Sequence, residues 1–141
     1  MNSPQTSQTY IHTLRVIYAH TDKMQVVYYG RYFEFMEAAR NEFLRNIGFE
    51  YAKLEPLGVM LPVIEAHAVY LAPARYDDEL EIHTTISKLE NVRVSISYRI
   101  FEKISQKLLL TGNTVLAFVT PTGKPTRLPK EFLEKIQPYV G

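Results

Sequence analysis

Cysteine is absent from this sequence. Its absence excludes disulfide bonds, thiolate metal sites and a cysteine nucleophile. A strong excess of one charge is also lacking, since 16 Lys and Arg stand against 15 Asp and Glu for a formal net charge of +1. A nucleic-acid-binding protein would need a concentrated basic face, so we expect no nucleic-acid partner.

Long apolar runs are missing as well. None approaches the roughly 20 residues of a membrane-spanning helix, and the N-terminal stretch MNSPQTSQTY lacks the basic and apolar parts of a signal peptide. We therefore expect a cytoplasmic protein with no integral membrane segment. The 141 residues, 46% of them hydrophobic, suit one globular domain, which we place at residues 10–141 after a loose tail over residues 1–9.

The clearest helical pattern lies between residues 32 and 47, where apolar residues recur at three- and four-residue steps. The stripe consists of Tyr32, Phe35, Met36, Ala39, Phe43 and Ile47. Gly48 is well placed to end the helix. So broad an apolar side predicts a long helix that is largely enclosed by other elements. A short second helix is expected over residues 50–55, before Pro56 and Gly58.

Three stretches of the remaining chain alternate apolar and polar residues, which is typical of strands with one dry face, and the stretch over residues 60–71 is β-branched and apolar. We predict strands near residues 14–18, 60–71, 80–87, 92–100 and 108–120, and a short helix over 129–137. The last strand is apolar on both faces, so we expect another subunit to cover it. A long helix followed by long antiparallel strands is an α+β layout, and a curved sheet wrapped around the helix would hide it.

Asp22 lies in a polar turn shortly before the long helix. Free backbone N–H groups at a helix N-terminus can stabilise a developing negative charge. The spacing therefore suits an acyl-transfer enzyme with Asp22 as nucleophile or general base. We favour the backbone amide of Tyr29, and not its phenol, as a donor to a substrate carbonyl. The alternative is that Asp22 is a turn carboxylate that bonds its own backbone.

The four histidines do not predict a metal site. His20 and Asp22 are spaced as two ligands could be, but no third ligand is placed to complete the set. Glu65 and His67 share one face of a predicted strand, where we expect a polar contact or an interface feature, with a catalytic role as the lesser alternative.

The segment from Asp22 through VVYYGRYFEFMEAAR resembles the signature of the 4-hydroxybenzoyl-CoA thioesterase family of hotdog-fold enzymes, which includes the Tol–Pal-associated acyl-CoA thioesterases. The stretch LAPARYDDELEI resembles the family's strand–turn–strand segment, and the resemblance runs from residue 14 to residue 129. Two departures stand out. Tyr29 occupies a position where many members have His, and Met24-Gln25 replaces Ala-Gly or Gly-Gly. Gln adopts a positive φ less readily than Gly does.

The resemblance implies a hotdog fold, hydrolysis of acyl-CoA thioesters, a catalytic role for Asp22, and active sites at a subunit interface. The CoA thiol leaves with little help from an acid, so one carboxylate and a helix N-terminus can suffice. No cofactor is expected, because coenzyme A is part of the substrate, and acyl carrier protein is an alternative carrier. Two other hypotheses stay open: a hotdog dehydratase or isomerase, and a non-catalytic acyl-CoA-binding hotdog protein.

Substrate contacts and assembly complete the hypothesis. Tyr28 and Tyr32 could line an aromatic pocket, and equally they could belong to the core. Arg93, Lys124 and Arg127 are the cations that we expect near the CoA phosphates. A single hotdog leaves a sheet edge open and half of the site unbuilt. We therefore expect a homodimer joined edge to edge, paired again into a homotetramer.

Overall fold

The computed structural model describes residues 7–141, so residues 1–6 of the predicted tail lie outside the described residues. The long helix, α1, spans Arg31–Asn46. Two short helices follow, α2 over Tyr51–Leu54 and α3 over Lys130–Ile136. The strands are β1 (Tyr10–Arg15), β2 (Val63–Tyr70), β3 (Glu79–Leu89), β4 (Arg93–Glu102) and β5 (Leu108–Ala117).

The five strands form one sheet in the order β1-β3-β4-β5-β2, and every neighbouring pair is antiparallel. The sheet curves around α1, and the inner side chains of the strands join those of the helix in one hydrophobic core. The predicted α+β class and hotdog fold, with a long central helix wrapped by a curved antiparallel sheet, are confirmed.

The helix packs closely on the sheet because one strand position lacks a side chain. Met36 and Ala39 of α1 are completely buried. A Cβ added to Gly112 of β5 would lie only 2.5 Å from the Sδ atom of Met36, so glycine is what allows Met36 to reach the sheet. The helix ends as expected at Gly48, whose φ of +84° is a conformation that favours glycine.

A buried arginine lies within this apolar core. Arg40 of α1 donates from Nη1 to the hydroxyl of Tyr98 at 3.1 Å, and that hydroxyl lies 2.8 Å from Oγ1 of Thr114. Burial raises the pKa of the Tyr98 phenol, so this group stays neutral. The helical pattern did not predict this polar chain, because Arg40 continues the buried side of the helix with a polar residue type.

One prediction about the sheet is wrong. The strand over residues 108–120 was expected to be the exposed edge, but β5 lies between β4 and β2. Leu110 and Leu116 belong to the core beneath the helix, and Leu109 and Val115 on the other face are also buried. Thr111, Asn113 and Ala117 on that face are half-buried. The edge strands are β1 and β2, and β2 is the more exposed of the two, over nearly its whole length.

The N-terminal segment differs from the prediction in where its strand lies. The first strand was expected near residues 14–18, but it spans Tyr10–Arg15, and the chain then turns through a 3-10 segment at Tyr18–His20. Within the predicted tail, the N–H of Gln8 donates to the carbonyl of Pro138 at 2.8 Å. Among residues 7–141, no helix is both long and apolar enough to span a membrane.

Candidate active site

A narrow backbone ribbon carries Asp22. Thr21 and Val27 form an antiparallel bridge, and Val26 bridges to Arg75 in the loop that follows β2. Inside the ribbon, the N–H of Asp22 donates to the carbonyl of Val26 at 3.0 Å. The ribbon therefore ties the candidate carboxylate to two elements, the loop after β2 and the chain that enters α1.

The Asp22 carboxylate is exposed and partly engaged by its own turn. Its Oδ1 atom accepts a hydrogen bond from the N–H of Met24 at 2.8 Å. This contact is the turn role that sequence reasoning kept as the alternative. The second oxygen, Oδ2, has no hydrogen-bond donor among residues 7–141. One carboxylate oxygen is thus held in place, while the other is available to a substrate or a water molecule.

Gln25 closes this turn in a left-handed conformation. Its φ is +64°, and its N–H donates to the carbonyl of Asp22 at 2.9 Å. The turn therefore keeps the positive φ for which glycine is the usual residue, although a side chain is present. Gln25 thus adopts a backbone conformation that glycine at this position would reach more readily.

The start of α1 leaves backbone donors free. The carbonyl of Tyr28 accepts the N–H of Arg31 at 2.9 Å, which closes a tight turn through Tyr29 and Gly30. Within the described chain, no acceptor is found for the N–H groups of Tyr29 and Gly30. These groups precede a 16-residue helix, whose N-terminus carries partial positive charge. Such donors can stabilise an oxyanion.

Tyr70 is a residue that sequence reasoning missed. Its hydroxyl donates to the carbonyl of Tyr29 at 3.0 Å, and its ring meets the Tyr29 ring edge-on at 6.4 Å. The end of β2 thereby fixes the peptide that follows the Tyr29 amide. The Tyr29 ring itself is 61% exposed and stacks near the Tyr28 ring. Only the position of Tyr70 at the end of a predicted strand could have signalled this contact.

The two predicted aromatic contacts have different surroundings. Tyr28 is 46% exposed beside Tyr29. Tyr32 is buried, and its hydroxyl accepts the N–H of Ala74 at 3.0 Å. Burial also raises the pKa of the Tyr32 phenol. Tyr32 therefore joins the first turn of α1 to the loop after β2, and its proposed contact with substrate stays a prediction.

His20 has a supporting role in the same loop. Its Nδ1 atom accepts the N–H of Ile17 at 3.0 Å, and its ring packs edge-on against Phe35. Burial lowers the pKa of the His20 imidazole, and the nearby Arg31 cation lowers it further. A neutral imidazole whose Nδ1 is already an acceptor fits this structural role.

An open depression of about 570 Å³ contains Asp22. Its lining comprises Tyr18, Thr21, Asp22, Lys23, Gln25, Arg75 and Tyr76. The rings of Tyr18 and Tyr76 meet edge-on at 6.1 Å. Sequence reasoning singled out the LAPARYDDELEI stretch but assigned none of its residues to the site. The depression shows that Arg75 and Tyr76 of this stretch lie beside Asp22.

The predicted phosphate-binding cations are not near Asp22 in the same chain. Arg93 is the first residue of β4, whereas the Asp22 ribbon adjoins the other end of the sheet, where the N–H of Val16 bonds the carbonyl of Asp78. Lys124 and Arg127 are exposed in the loop after β5, at the same end as Arg93. A ten-residue strand is about 30 Å long, so one chain cannot bring these cations to its own Asp22.

Comparisons with known proteins agree with this geometry. A family model described as the thioesterase-like superfamily matches residues 16–136. The acyl-CoA thioester hydrolase YbgC of Escherichia coli is 34% identical over 125 residues, which cover 88% of this chain and 92% of that protein. The structure of a DHNA-CoA thioesterase from Staphylococcus aureus is 32% identical, with a TM-score of 0.83 over 93% of this chain and 88% of that one.

A second solved structure extends the same similarity. A 1,4-dihydroxy-2-naphthoyl-CoA thioesterase from Synechocystis is 25% identical, with a TM-score of 0.86 over 92% of this chain and 96% of that one. The match to the family model covers most of the sequence, including the Asp22 ribbon, α1 and the whole sheet from β2 onwards. The chain therefore belongs to the thioesterase-like superfamily and is a thioester hydrolase of the hotdog fold.

Proposed function

We propose that this protein hydrolyses acyl-CoA thioesters to a free acid and CoA, with Asp22 as the catalytic carboxylate. The observation that carries the proposal is the free Oδ2 atom of Asp22 in a loop that leads directly to the unpaired N–H groups of Tyr29 and Gly30. A carboxylate and oxyanion donors are the two groups that thioester hydrolysis requires. The names of the similar thioesterases support CoA as the carrier.

Two routes are open to Asp22. As a nucleophile, its carboxylate attacks the thioester carbonyl, the C–S bond breaks, CoA leaves as a thiolate, and water then cleaves the mixed anhydride. As a general base, Asp22 takes a proton from a water molecule that attacks the carbonyl directly; the C–S bond then breaks, CoA leaves as a thiolate, and Asp22 gives its proton to that thiolate or to solvent. In both routes negative charge develops on the carbonyl oxygen, where the Tyr29 amide stabilises it.

The substrate meets an aromatic surface at the start of α1. Tyr28 and Tyr29 are exposed there, next to Tyr70. These rings are suited to an acyl or aryl group attached to the thioester carbon. Acyl carrier protein remains an alternative to CoA as the carrier. The reaction as written needs no cofactor and no metal, and the predicted cytoplasmic location stays a prediction.

Assembly is part of the proposal, because the cations expected to hold CoA lie at the other end of the sheet. Arg93, Lys124 and Arg127 can serve an Asp22 site only if they come from another copy. The exposed β2 edge supports a homodimer joined edge to edge. Pairing of two such dimers into a tetramer is the further expectation.

The decisive experiment measures free thiol release from a panel of acyl-CoA and aryl-CoA thioesters by the wild-type protein and by Asp22→Asn. Asparagine keeps the Oδ1 acceptor for the Met24 N–H but removes the charge, so the fold should persist while kcat falls by roughly 10³-fold or more. Asp77→Asn is the matched control. Asp77 is exposed in the neighbouring loop, where it lies 3.6 Å from Arg15, and its variant should keep full activity.

Each alternative hypothesis has its own outcome in this assay. An enoyl product without free thiol would indicate a dehydratase, and saturable binding without turnover would indicate an acyl-CoA-binding protein. Activity of Asp22→Asn within a few-fold of the wild type would remove Asp22 from the mechanism. Thiol release from acyl-carrier-protein thioesters, but not from CoA thioesters, would change the carrier and keep the reaction.

A further inference from the structure

Asp22 and Arg75 lie in one row across the Asp22 ribbon. Thr21 is directly opposite Val27, and Val26 is directly opposite Arg75. The same antiparallel register places Asp22 opposite Val26, to whose carbonyl its N–H donates at 3.0 Å. Directly opposed residues of antiparallel segments project from the same face. The side chains of Asp22, Val26 and Arg75 therefore share one face of the ribbon.

This face points away from the core. The neighbouring row contains Val27 and Ala74, which are 4% and 0% exposed, and alternate residues of a strand point to opposite faces. Asp22 and Arg75 are accordingly exposed, and both line the open depression. Neighbouring strands are about 4.8 Å apart, so these two residues, two strand spacings apart, are separated by about 10 Å. A small reacting group has room between their side chains.

The main chain of Arg75 is fixed, while its guanidinium is available. Its N–H donates to Oδ2 of Asp78 at 2.9 Å, and its carbonyl accepts the N–H of Asp78 at 3.1 Å. The nearby carboxylate of Asp77 pairs with Arg15 at 3.6 Å instead. Among residues 7–141, the Arg75 guanidinium forms no ion pair, neither with these carboxylates nor with Asp22. A cation on a rigid ribbon thus faces the depression without a partner.

A thioester bound at Asp22 develops negative charge at two atoms. The first is the carbonyl oxygen, for which the proposed function supplies the Tyr29 amide. The second is the sulfur atom, which becomes a thiolate when the C–S bond breaks. A fixed cation beside this sulfur would stabilise the charge without giving up a proton, and arginine stays charged at every pH at which the enzyme would work. Lys23 also lines the depression, but it lies inside the turn that Asp22 and Gln25 close, not in the row with Asp22.

The rest of the lining is suited to the thiol side of the substrate. Tyr18 is 80% exposed and Tyr76 is 57% exposed, and both belong to the depression. Exposed tyrosine rings offer an apolar surface with a polar tip, which matches the aliphatic and amide groups of the pantetheine arm of CoA. The proposed function assigns the acyl group to the rings of Tyr28 and Tyr29, so the thiol arm is the part of the substrate left for the depression.

We propose that Arg75 is a catalytic residue whose guanidinium contacts the sulfur atom of the bound thioester and stabilises the departing thiolate. This inference rests on the proposed function. In the nucleophilic route, Oδ2 of Asp22 bonds to the carbonyl carbon, and the C–S bond breaks with its electron pair on sulfur. The thiolate forms beside Arg75 and takes a proton from solvent after it leaves. In the general-base route, water forms the new bond to carbon, and the proton held by Asp22 passes to the thiolate or to solvent.

A series of thioesters with one acyl group and ring-substituted thiophenols as leaving groups tests the proposal. These thiols differ in acidity but hardly in shape, and a less acidic thiol leaves more slowly. The ratio kcat/KM, which includes every step up to C–S cleavage, is measured for the wild type and for Arg75→Met, which keeps a long side chain without the charge. We expect the plot of log kcat/KM against the pKa of the free thiol to be steeper for the variant. On acyl-CoA the loss should be about tenfold, less than for a buried oxyanion donor because Arg75 is exposed.

Matched variants separate the charge of Arg75 from its position. Arg75→Lys keeps a cation and should recover part of the wild-type slope. Lys107→Ala removes an exposed cation at the same end of the sheet but outside the depression, and it should change neither the rate nor the slope. Circular dichroism checks folding. If Arg75→Met fails to fold, Arg75→Gln replaces it, and the same steeper slope is expected.

The slope distinguishes this role from others. If Arg75 only helped to bind the substrate or to place Asp22, the charge-removing variant would lose the same factor on every thiophenyl ester, and the unchanged slope would overturn the proposal. A loss confined to acyl groups that carry their own carboxylate, again with an unchanged slope, would assign Arg75 to the acyl side and also overturn it. A wild type that releases no thiol would refute the proposed function, whereas an active wild type with the same slope as its variant would refute only the role of Arg75.

Discussion

The two ends of the sheet differ in their chemistry. One end holds the Asp22 ribbon, the free amides of α1 and a cluster of tyrosines. The other end holds Arg93 and the loop with Lys124 and Arg127, beside an apolar groove near Met60. The first end has the groups that we propose for thioester hydrolysis, while the second has the cations that we propose for substrate binding. The proposed catalytic and binding groups of one chain are thus separated by about 30 Å, the length of a ten-residue strand.

β2, the more exposed of the two edge strands, connects these two ends. β2 runs from the recognition end to the catalytic end, so antiparallel pairing of two such strands reverses one sheet relative to the other. In the proposed dimer, the Asp22 end of one copy meets the Arg93 end of the other. The following predictions test this division between the two ends.

The largest effect is expected from Tyr29→Pro at the catalytic end. Tyr29 is the second residue of the turn from Tyr28 to Arg31, a position that accepts proline. Gly30, the next residue, has φ −69° and ψ −23°, which fits the same turn. Proline therefore keeps the turn but removes the amide, and loss of one oxyanion donor should lower kcat by about 10²- to 10³-fold.

Tyr29→Phe is the control for the phenol. It keeps the amide and the ring, so kcat should stay within about twofold of the wild type if the backbone donor is what matters. Steady-state kinetics and circular dichroism measure activity and folding in parallel. A large loss in Tyr29→Phe together with a small loss in Tyr29→Pro would reverse the assignment from amide to phenol.

A moderate effect is expected at the recognition end. Lys124→Ala and Arg127→Ala should each raise the KM for acyl-CoA about two- to fivefold, the range of exposed ion pairs. The change should be larger at low salt, because exposed charges are screened. The rate constant kcat should hardly change, since phosphate contacts contribute equally to substrate and transition state.

Lys107→Ala is the matched control for these cations. Lys107 is an exposed lysine in the turn between β4 and β5, at the same end of the sheet as Asp22 of its own chain. If one CoA molecule contacts two copies of the chain, the KM for acyl-CoA should be the same in Lys107→Ala as in the wild type. A higher KM for Lys107→Ala, with no change for Arg127→Ala, would place the phosphates within one chain and contradict the division between the ends.

The smallest effects are expected in the turns of the two ends. Gln25 and Gly123 both have positive φ, +64° and +87°. An L-residue costs about 1–2 kcal/mol in this conformation. Because glycine also loses more entropy on folding, Gln25→Gly should stabilise the protein by at most about 1 kcal/mol. Gly123→Ala should destabilise it by about 1 kcal/mol, although a Cβ there would meet no atom within 4 Å.

Urea denaturation of both variants measures this difference in the free energy of unfolding. If both variants changed the free energy of unfolding equally and with the same sign, the positive φ of the two turns would not be what determines the effect of glycine there. If Gln25→Gly were more stable than the wild type but had a lower kcat, the strained turn would help to hold the Asp22 carboxylate in position.

Local patterns predicted the elements well. The three- and four-residue spacing of apolar side chains identified α1, and Gly48 marked its end, because the period of a helix depends on neighbours a turn away. Alternation identified β3 and β4 with small differences at their ends, but it placed the first strand several residues too late. Asp22 and the start of α1 are adjacent in sequence, so the local spacing was enough to make them candidates.

Contacts between distant segments could not be predicted in this way. The sequence pattern of an apolar strand is the same whether a neighbouring strand or another subunit covers it. For this reason β5 was mistaken for an edge strand. Arg40 and Tyr32 are buried because of the residues that they meet, Tyr98 in one case and the Ala74 amide in the other. Neither partner is close to them in sequence.

The sequence by itself determined that this chain has a long amphipathic helix preceded by a single carboxylate, and that it has no thiol. Those properties depend on residue type and on local periodicity. The tertiary structure alone decided that β2 is an exposed edge strand, that Tyr70 bonds the Tyr29 carbonyl, and that the cations lie at the far end from Asp22. Strand order and direction set these relations, and they depend on which distant segments pair most favourably across the whole sheet.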